Sequence, residues 1–141
     1  MAPANGLTGM FLAKYSTAGT HLWSRGFSST GPTGTVNAKG LAVDSLGNIV
    51  VTGGVSGNAV FDGIYLGYGT PAIMLVKFTT NGSATWGKFY DGLQTDYGTS
   101  VAVGAADNIL ATGSFSYSVD FGGGLMESPG GFDGFVVKLT P

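Results

Sequence analysis

Cysteine is absent from the 141 residues, which excludes disulfides, thiolate metal sites and a cysteine nucleophile together. Charge is scarce. Asp, Glu, Lys and Arg make up 10% of the chain, against about 25% in an average protein. The net charge is −2 and no basic run occurs, so the clustered cations that nucleic-acid binding requires are missing. No apolar stretch approaches the roughly 20 residues of a membrane span. The opening Met1-Ala2-Pro3-Ala4-Asn5-Gly6 lacks the charged and apolar regions of a signal peptide. The single histidine, His21, cannot anchor a zinc site alone and reads as a partly packed surface residue beside Trp23. What the chain has in excess is glycine, 26 residues, alongside nine Phe, six Tyr and two Trp. Those aromatics can bury enough surface to offset chain entropy, which a disordered glycine-rich segment cannot do. Short strands joined by tight turns fit this composition.

The chain repeats itself with a period of 60 to 63 residues. Phe11-Leu12-Ala13-Lys14-Tyr15 recurs as Met74-Leu75-Val76-Lys77-Phe78 and again as Phe135-Val136-Val137-Lys138-Leu139. Trp23 matches Trp86, Leu41-Ala42-Val43 matches Val101-Ala102-Val103, the run from Asn48 to Gly53 matches that from Asn108 to Gly113, and Phe61 matches Phe121. A fixed period of this size signals a repeat architecture.

Each repeat reads as four short strands: the first near 40–44 and 100–104, the second near 48–53 and 108–113. The third lies near 72–78 and 134–140 with an extra copy at 9–15, and the fourth near 83–90 and 20–27. These runs are rich in β-branched and aromatic residues and bounded by Gly, Asn, Asp and Ser. Helical spacing of apolar residues is nowhere sustained, so almost no helix is expected. Turns at 44–48, 16–19 and 79–82 are short, and the last two end in Gly. The second-to-third connections, 54–71 and 114–133, read as long loops, and the fourth-to-first crossing spans up to a dozen residues. In an up-and-down meander the tight turns share one end and the long loops the other, which makes the long-loop end the expected binding face.

The stretches GLAVDSLGNIVVTG (40–53), VDFGGG (119–124), GGFDGFVVKL (130–139) and THLWSRGF (20–27) resemble the bacterial β-propeller repeat family of large secreted myxobacterial-type proteins. The resemblance implies an all-β fold of four-stranded antiparallel blades arranged radially around a channel, and an extracellular interaction role. Two departures stand out. Of the three third-strand copies only Asp133 supplies the usual leading acid, Gly9 and Ala72 taking its place elsewhere; and Gly104 stands where the first repeat has Asp44. The whole chain, 1–141, then reads as a partial propeller. Residues 9–27 give third and fourth strands, 40–90 a complete blade, and 98–140 first to third strands. Two blades cannot close a ring and would leave apolar sheet faces bare. A homo-oligomer of three or four chains, completing six or eight blades with one third strand surplus, or missing sequence, is expected to close it.

No catalytic motif emerges. Asp44 and Asp107 are turn residues, and Asp91 and Asp96 fit loop-capping roles. Asp62, Asp120, Glu127 and Asp133 could share the long-loop face, where a glycosidase would need two carboxylates, yet no pair carries a distinctive pattern. The dense acid spacing of a calcium loop is missing. No helix follows the glycines at 122–124 and 130–131, so they read as turns rather than a phosphate loop. The equivalent Lys14, Lys77 and Lys138 point to architecture, their stems crossing an apolar face toward solvent or a neighbouring blade's carboxylate. Trp23 and Trp86 read as inter-blade packing, and Phe61 and Phe121 as loop anchors. Tyr65, Tyr68 and Tyr117, with Asp62 and Asp120, remain the best ligand contacts. The expected function is a non-enzymatic module that self-assembles and presents a loop-rich face, to a glycan sooner than to a protein. No cofactor and no metal are expected. A purely structural self-assembling piece is the alternative, and a loop-carboxylate hydrolase a third reading.

Overall fold

The structure, a computed structural model, describes residues 8–67 and 69–140, and the backbone alone of 31–33. The alternation of apolar and small polar residues produces, among the described residues, nine antiparallel strands: β1 (Gly9–Tyr15), β2 (His21–Val43), β3 (Ile49–Phe61), β4 (Ile64–Leu66), β5 (Ala72–Phe78), β6 (Ala84–Tyr90), β7 (Tyr97–Val103), β8 (Ile109–Asp120) and β9 (Leu125–Leu139). The fold is all-β. A 3-10 turn at Ala105–Asp107 is the one helical element among the described residues. One sheet runs β1-β2-β3-β5-β6 with β4 added to β3, and a second runs β7-β8-β9.

Strand β2 serves two pairings. Its first part, His21 to Ser28, pairs with β1, while Thr35 to Val43 pair with β3. The fourth-to-first crossing expected as a connection is therefore continuous strand in the first repeat. A register shift between Thr30 and Thr35 takes up the residues of that crossing. The long second-to-third loops are also corrected. β3 runs on to Phe61 and turns back as β4, and β8 runs on to Asp120 and pairs with β9 from Leu125. The reason is burial along one face of the extension: Val55, Ala59 and Phe61 are all fully buried. The reversal itself is a two-residue turn, Asp62-Gly63, with φ of 51° and 91°. This is the mirror-image geometry that Asp-Gly adopts with little strain and that matches the twist of a hairpin.

The part of β2 after Thr35, with β3, β5 and β6, makes a central sheet covered on both faces. On one face Ile49, Val51, Met74, Val76 and Phe78 pack against Met10, Leu12, Trp23 and Phe27 of the β1–β2 hairpin. On the other, Val50 and Leu75 pack against Val101, Ile109 and Ala111, and Ile73 against Phe115, Val119 and Phe135. That double cover explains why β5 is buried at every position but Lys77, whereas β1, covered on one face, alternates. The rings of Phe61 and Phe78 clamp Phe27 at centroid distances of 5.2 Å each, tying the hairpin to the central sheet.

Candidate functional site

The expected ligand residues fall into two hairpin extensions, one per repeat. Asp62 and Tyr65 belong to the β3–β4 hairpin, Tyr117 and Asp120 to the β8–β9 extension, and Tyr68 lies outside the described residues. Both carboxylates are occupied by the fold. Asp62 pairs with Arg25 of β2 and accepts the Ala84 amide at 2.8 Å, so it clasps the hairpin to the start of β6. Asp120 accepts the amides of Gly122 at 2.7 Å and Gly124 at 3.1 Å, fixing the glycine turn. The two tyrosines are free to touch a ligand: Tyr65 is 73% and Tyr117 56% exposed. Tyr117 is also held at φ 64°, a conformation the first repeat assigns to Gly57 at φ 66°. A bulky side chain there costs on the order of 1 kcal/mol or more. Phe61 is buried, and Phe121 lies 4.9 Å from both Tyr90 and Phe135, so these rings anchor the extensions.

The tight-turn end carries the more deeply buried of the two ion pairs among the described residues. Asp44, nearly buried, receives Lys77 Nζ at 2.9 Å, the Asn48 amide at 2.8 Å and side-chain Nδ2 at 2.9 Å, and the Leu46 amide at 3.0 Å. Burial pushes its carboxyl up, but Lys77 and Asn48 together outweigh that and hold it at about 2. Lys77 thus meets an acid of its own sheet, not the neighbouring carboxylate anticipated. Lys14 reaches from β1 over the face of the sheet to the β5–β6 turn, where its Nζ and Trp23 Nε1 both donate to the Thr80 carbonyl at 3.2 Å. Asp107 accepts the Ser45 hydroxyl at 2.6 Å and amide at 2.9 Å, bonds that lower its carboxyl and link the first turns of the two repeats.

The loop-capping role expected of Asp96 misses its depth. It is fully buried, with Oδ1 accepting the Ser116 amide at 2.9 Å and Oδ2 without a hydrogen bond. Burial raises its carboxyl above the ordinary carboxylate range. In the first repeat the same place is held by Val36, with the same backbone bond: Val36 N to Thr8 O at 3.0 Å, Asp96 N to Pro71 O at 2.9 Å. A cavity of about 260 Å³ opens here between β2 and β7, lined by Asn37, Lys39, Pro71, Asp96 and Tyr97 among others. The signal that would have exposed this site is the repeat itself, since Asp96 departs from its apolar counterpart.

Among the described residues no three His, Asp or Glu side chains converge on one point, and no helix is long and apolar enough to cross a membrane. The geometry offers exposed aromatic surface at Tyr65 and Tyr117 and exposed apolar sheet residues at Leu41 and Val43. The chain matches no protein-family model and no curated protein sequence.

Proposed function

We propose that this protein is a propeller segment that works by self-assembly, its copies joining face to face until the blades close a ring. One comparison carries the reading. Val101 and Val103 of β7 pack against Ala42 and Val50 of the central sheet. Their counterparts Leu41 and Val43 are 54% and 55% exposed. The residues that would cover them by the same rule, Ala102 and Leu110, face outward on the other end of the molecule and are also exposed. Both halves of a second copy of the internal interface are therefore present, and neither is satisfied within one chain. Bare apolar faces of this kind favour association through the area they remove from water. The β1–β2 hairpin supplies third and fourth strands, and β7-β8-β9 first to third, so the open ends are complementary. Light scattering tests this: three or four chains per particle are expected, and a particle that stays at 14.2 kDa at high concentration overturns it.

A second reading, glycan contact on the rim of the assembled ring, is favoured by Tyr117 alone. The ring is exposed, strained, and present where the other repeat makes do with glycine. Tyr117→Gly is expected to raise stability by about 1 kcal/mol while abolishing binding on a glycan array. Unchanged glycan binding would remove Tyr117 from the site.

A further inference from the structure

Three strands of this chain share one sequence pattern, and two of them compete for one place. β1 and β9 are both third strands, and each has half of the neighbours that β5 has: Lys14 faces Trp23 of a fourth strand and Lys138 faces Leu110 of a second, where Lys77 faces both Val50 and Trp86. Within the chain β9 holds the edge of β8, while no strand among the described residues pairs with the outer edge of β1. We infer that on assembly β1 of one copy takes the edge of β8 in the next, and that the Phe132–Leu139 part of β9 is a placeholder released in the exchange. This rests on the assembly reading above and names the strand that makes the joint.

Four observations favour β1 as the incoming strand. It already sits correctly on the central sheet, with Met10 and Leu12 each 5% exposed and Lys14 bonded to the Thr80 carbonyl. The equivalent β9 positions are Gly134 and Val136, which would fill that seat poorly. Beside β1 lie two adjoining cavities of about 160 and 360 Å³, bordered by Phe11 and Leu12 on one side and Leu41 and Val43 on the other. They occupy the place that the repeat gives to first and second strands, here β7 and β8 of the second copy. Phe11, 56% exposed, has the same identity as buried Phe135, so the inner face exchanges like for like. Finally, β9 has a natural break: pairing jumps from Ser128 to Phe132 across Pro129-Gly130-Gly131, with Gly131 at φ 138°. The outer half of β9 can leave while Leu125–Ser128 stays paired. A free edge occupied by the chain's own strand until a partner arrives is also protection against unspecific pairing.

Carrying the β3–β5 register over to the joint sets Ala13 of one copy opposite Ala111 of the next. The absence of native cysteine allows a clean test with two disulfide locks. Ala111→Cys with Val137→Cys fastens β9 to β8, positions that are already paired. Ala13→Cys with Ser24→Cys fastens β1 to β2, also paired. With the unmodified chain assembled, the first lock is expected to hold the oxidised protein at 14.2 kDa, with reduction restoring full mass. The second lock is expected to leave assembly intact. The reverse pattern would make β9 the resident strand and overturn the inference without touching assembly, as would assembly with both locks closed. A monomeric unmodified chain would overturn both.

Discussion

Replacing Asp44 by Asn removes one charge from the best-connected ion pair in the molecule, and the consequence can be worked from its geometry. A carboxyl lowered from 3.8 to about 2 contributes at most about 2.4 kcal/mol to stability at neutral pH. Screening at the margin of the sheets reduces this to roughly 1–2 kcal/mol. The sign follows from the lowered value: the native state binds the proton less readily than the unfolded chain. The contribution is therefore complete above the ordinary carboxylate range and disappears as pH falls toward 2. Asn keeps an acceptor for the Asn48 and Leu46 amides but strands the Lys77 ammonium, whose side chain is only 16% exposed. Urea unfolding of the parent, Asp44→Asn, Lys77→Met and the double variant, at steps from pH 7 to pH 2, reads the whole effect. The parent should lose its extra stability between about pH 4.5 and 2 while Asp44→Asn falls less steeply across that window, with a coupling energy of about 1 kcal/mol at pH 7. A parent and an Asp44→Asn variant that decline in parallel would refute the assignment of this acid-sensitive stability to Asp44. The second repeat offers the reverse experiment. Gly104, at φ −94° with room for a side chain, is expected to accept Gly104→Asp with a gain, as Lys138 and Asn108 stand where Lys77 and Asn48 do.

Gly82 and Gly19 occupy equivalent turns at φ 80° and 78°, but an added Cβ would lie 2.7 Å from the Trp23 ring at Gly82 and meet nothing at Gly19. Gly19→Ala should cost about 1 kcal/mol from backbone conformation alone. Gly82→Ala should cost about 2–3 kcal/mol, with a shift in tryptophan emission as Trp23 loses its bond to Thr80; equal costs would show that the contact with Trp23 does not matter. Asp96 titrates in the opposite sense to Asp44. Its raised carboxyl means that stability falls as pH climbs above the ordinary carboxylate range, so Asp96→Asn should melt higher than the parent at pH 7 and converge with it near pH 3. A variant that melts lower at pH 7 would mean that the ionised form has a partner in the fold.

The repeat was legible because strand identity depends on local pattern, and local pattern survives in every copy. Lys14, Lys77 and Lys138 mark the same place on three strands, and all three form. The tight turns were legible for the same reason: Gly19, Gly47 and Gly82 each donate an amide back to the residue three earlier, at about 3 Å. The continuity of β2 was not, because Gly31-Pro32-Thr33-Gly34 carries every mark of a loop. The neighbouring β3 extension, pairing Asn58 with Thr30 and Ser56 with Thr35, and Thr8 beside Thr35 and Val36 hold the chain extended there. The hairpin at Asp62-Gly63 could have been read from that dipeptide, one of the strongest short-range turn signals. The role of the Asp62 carboxylate could not, since its partner Arg25 lies 37 residues away on another strand.

What separates architecture from candidate function in this protein is the comparison of its own two halves. A feature present in both repeats, such as the Trp23 and Trp86 pair or the rings of Phe61 and Phe121, is explained by packing that each repeat must achieve. A feature present in one asks for a separate cause. Val36 against Asp96, Gly57 against Tyr117 and Asp44 against Gly104 are three such pairs, each at matched backbone positions. In each, the costlier residue is a buried carboxyl or a strained ring: an unpaired oxygen at Asp96, a left-handed tyrosine at 117, a desolvated ion pair at Asp44. The Asp44 pair recovers its cost through Lys77 and Asn48 inside the chain. Asp96 recovers part of its cost through the Ser116 amide, but burial still raises its carboxyl; for the rest, and for Tyr117, the cavity beside one and the open face around the other are where compensation should be sought.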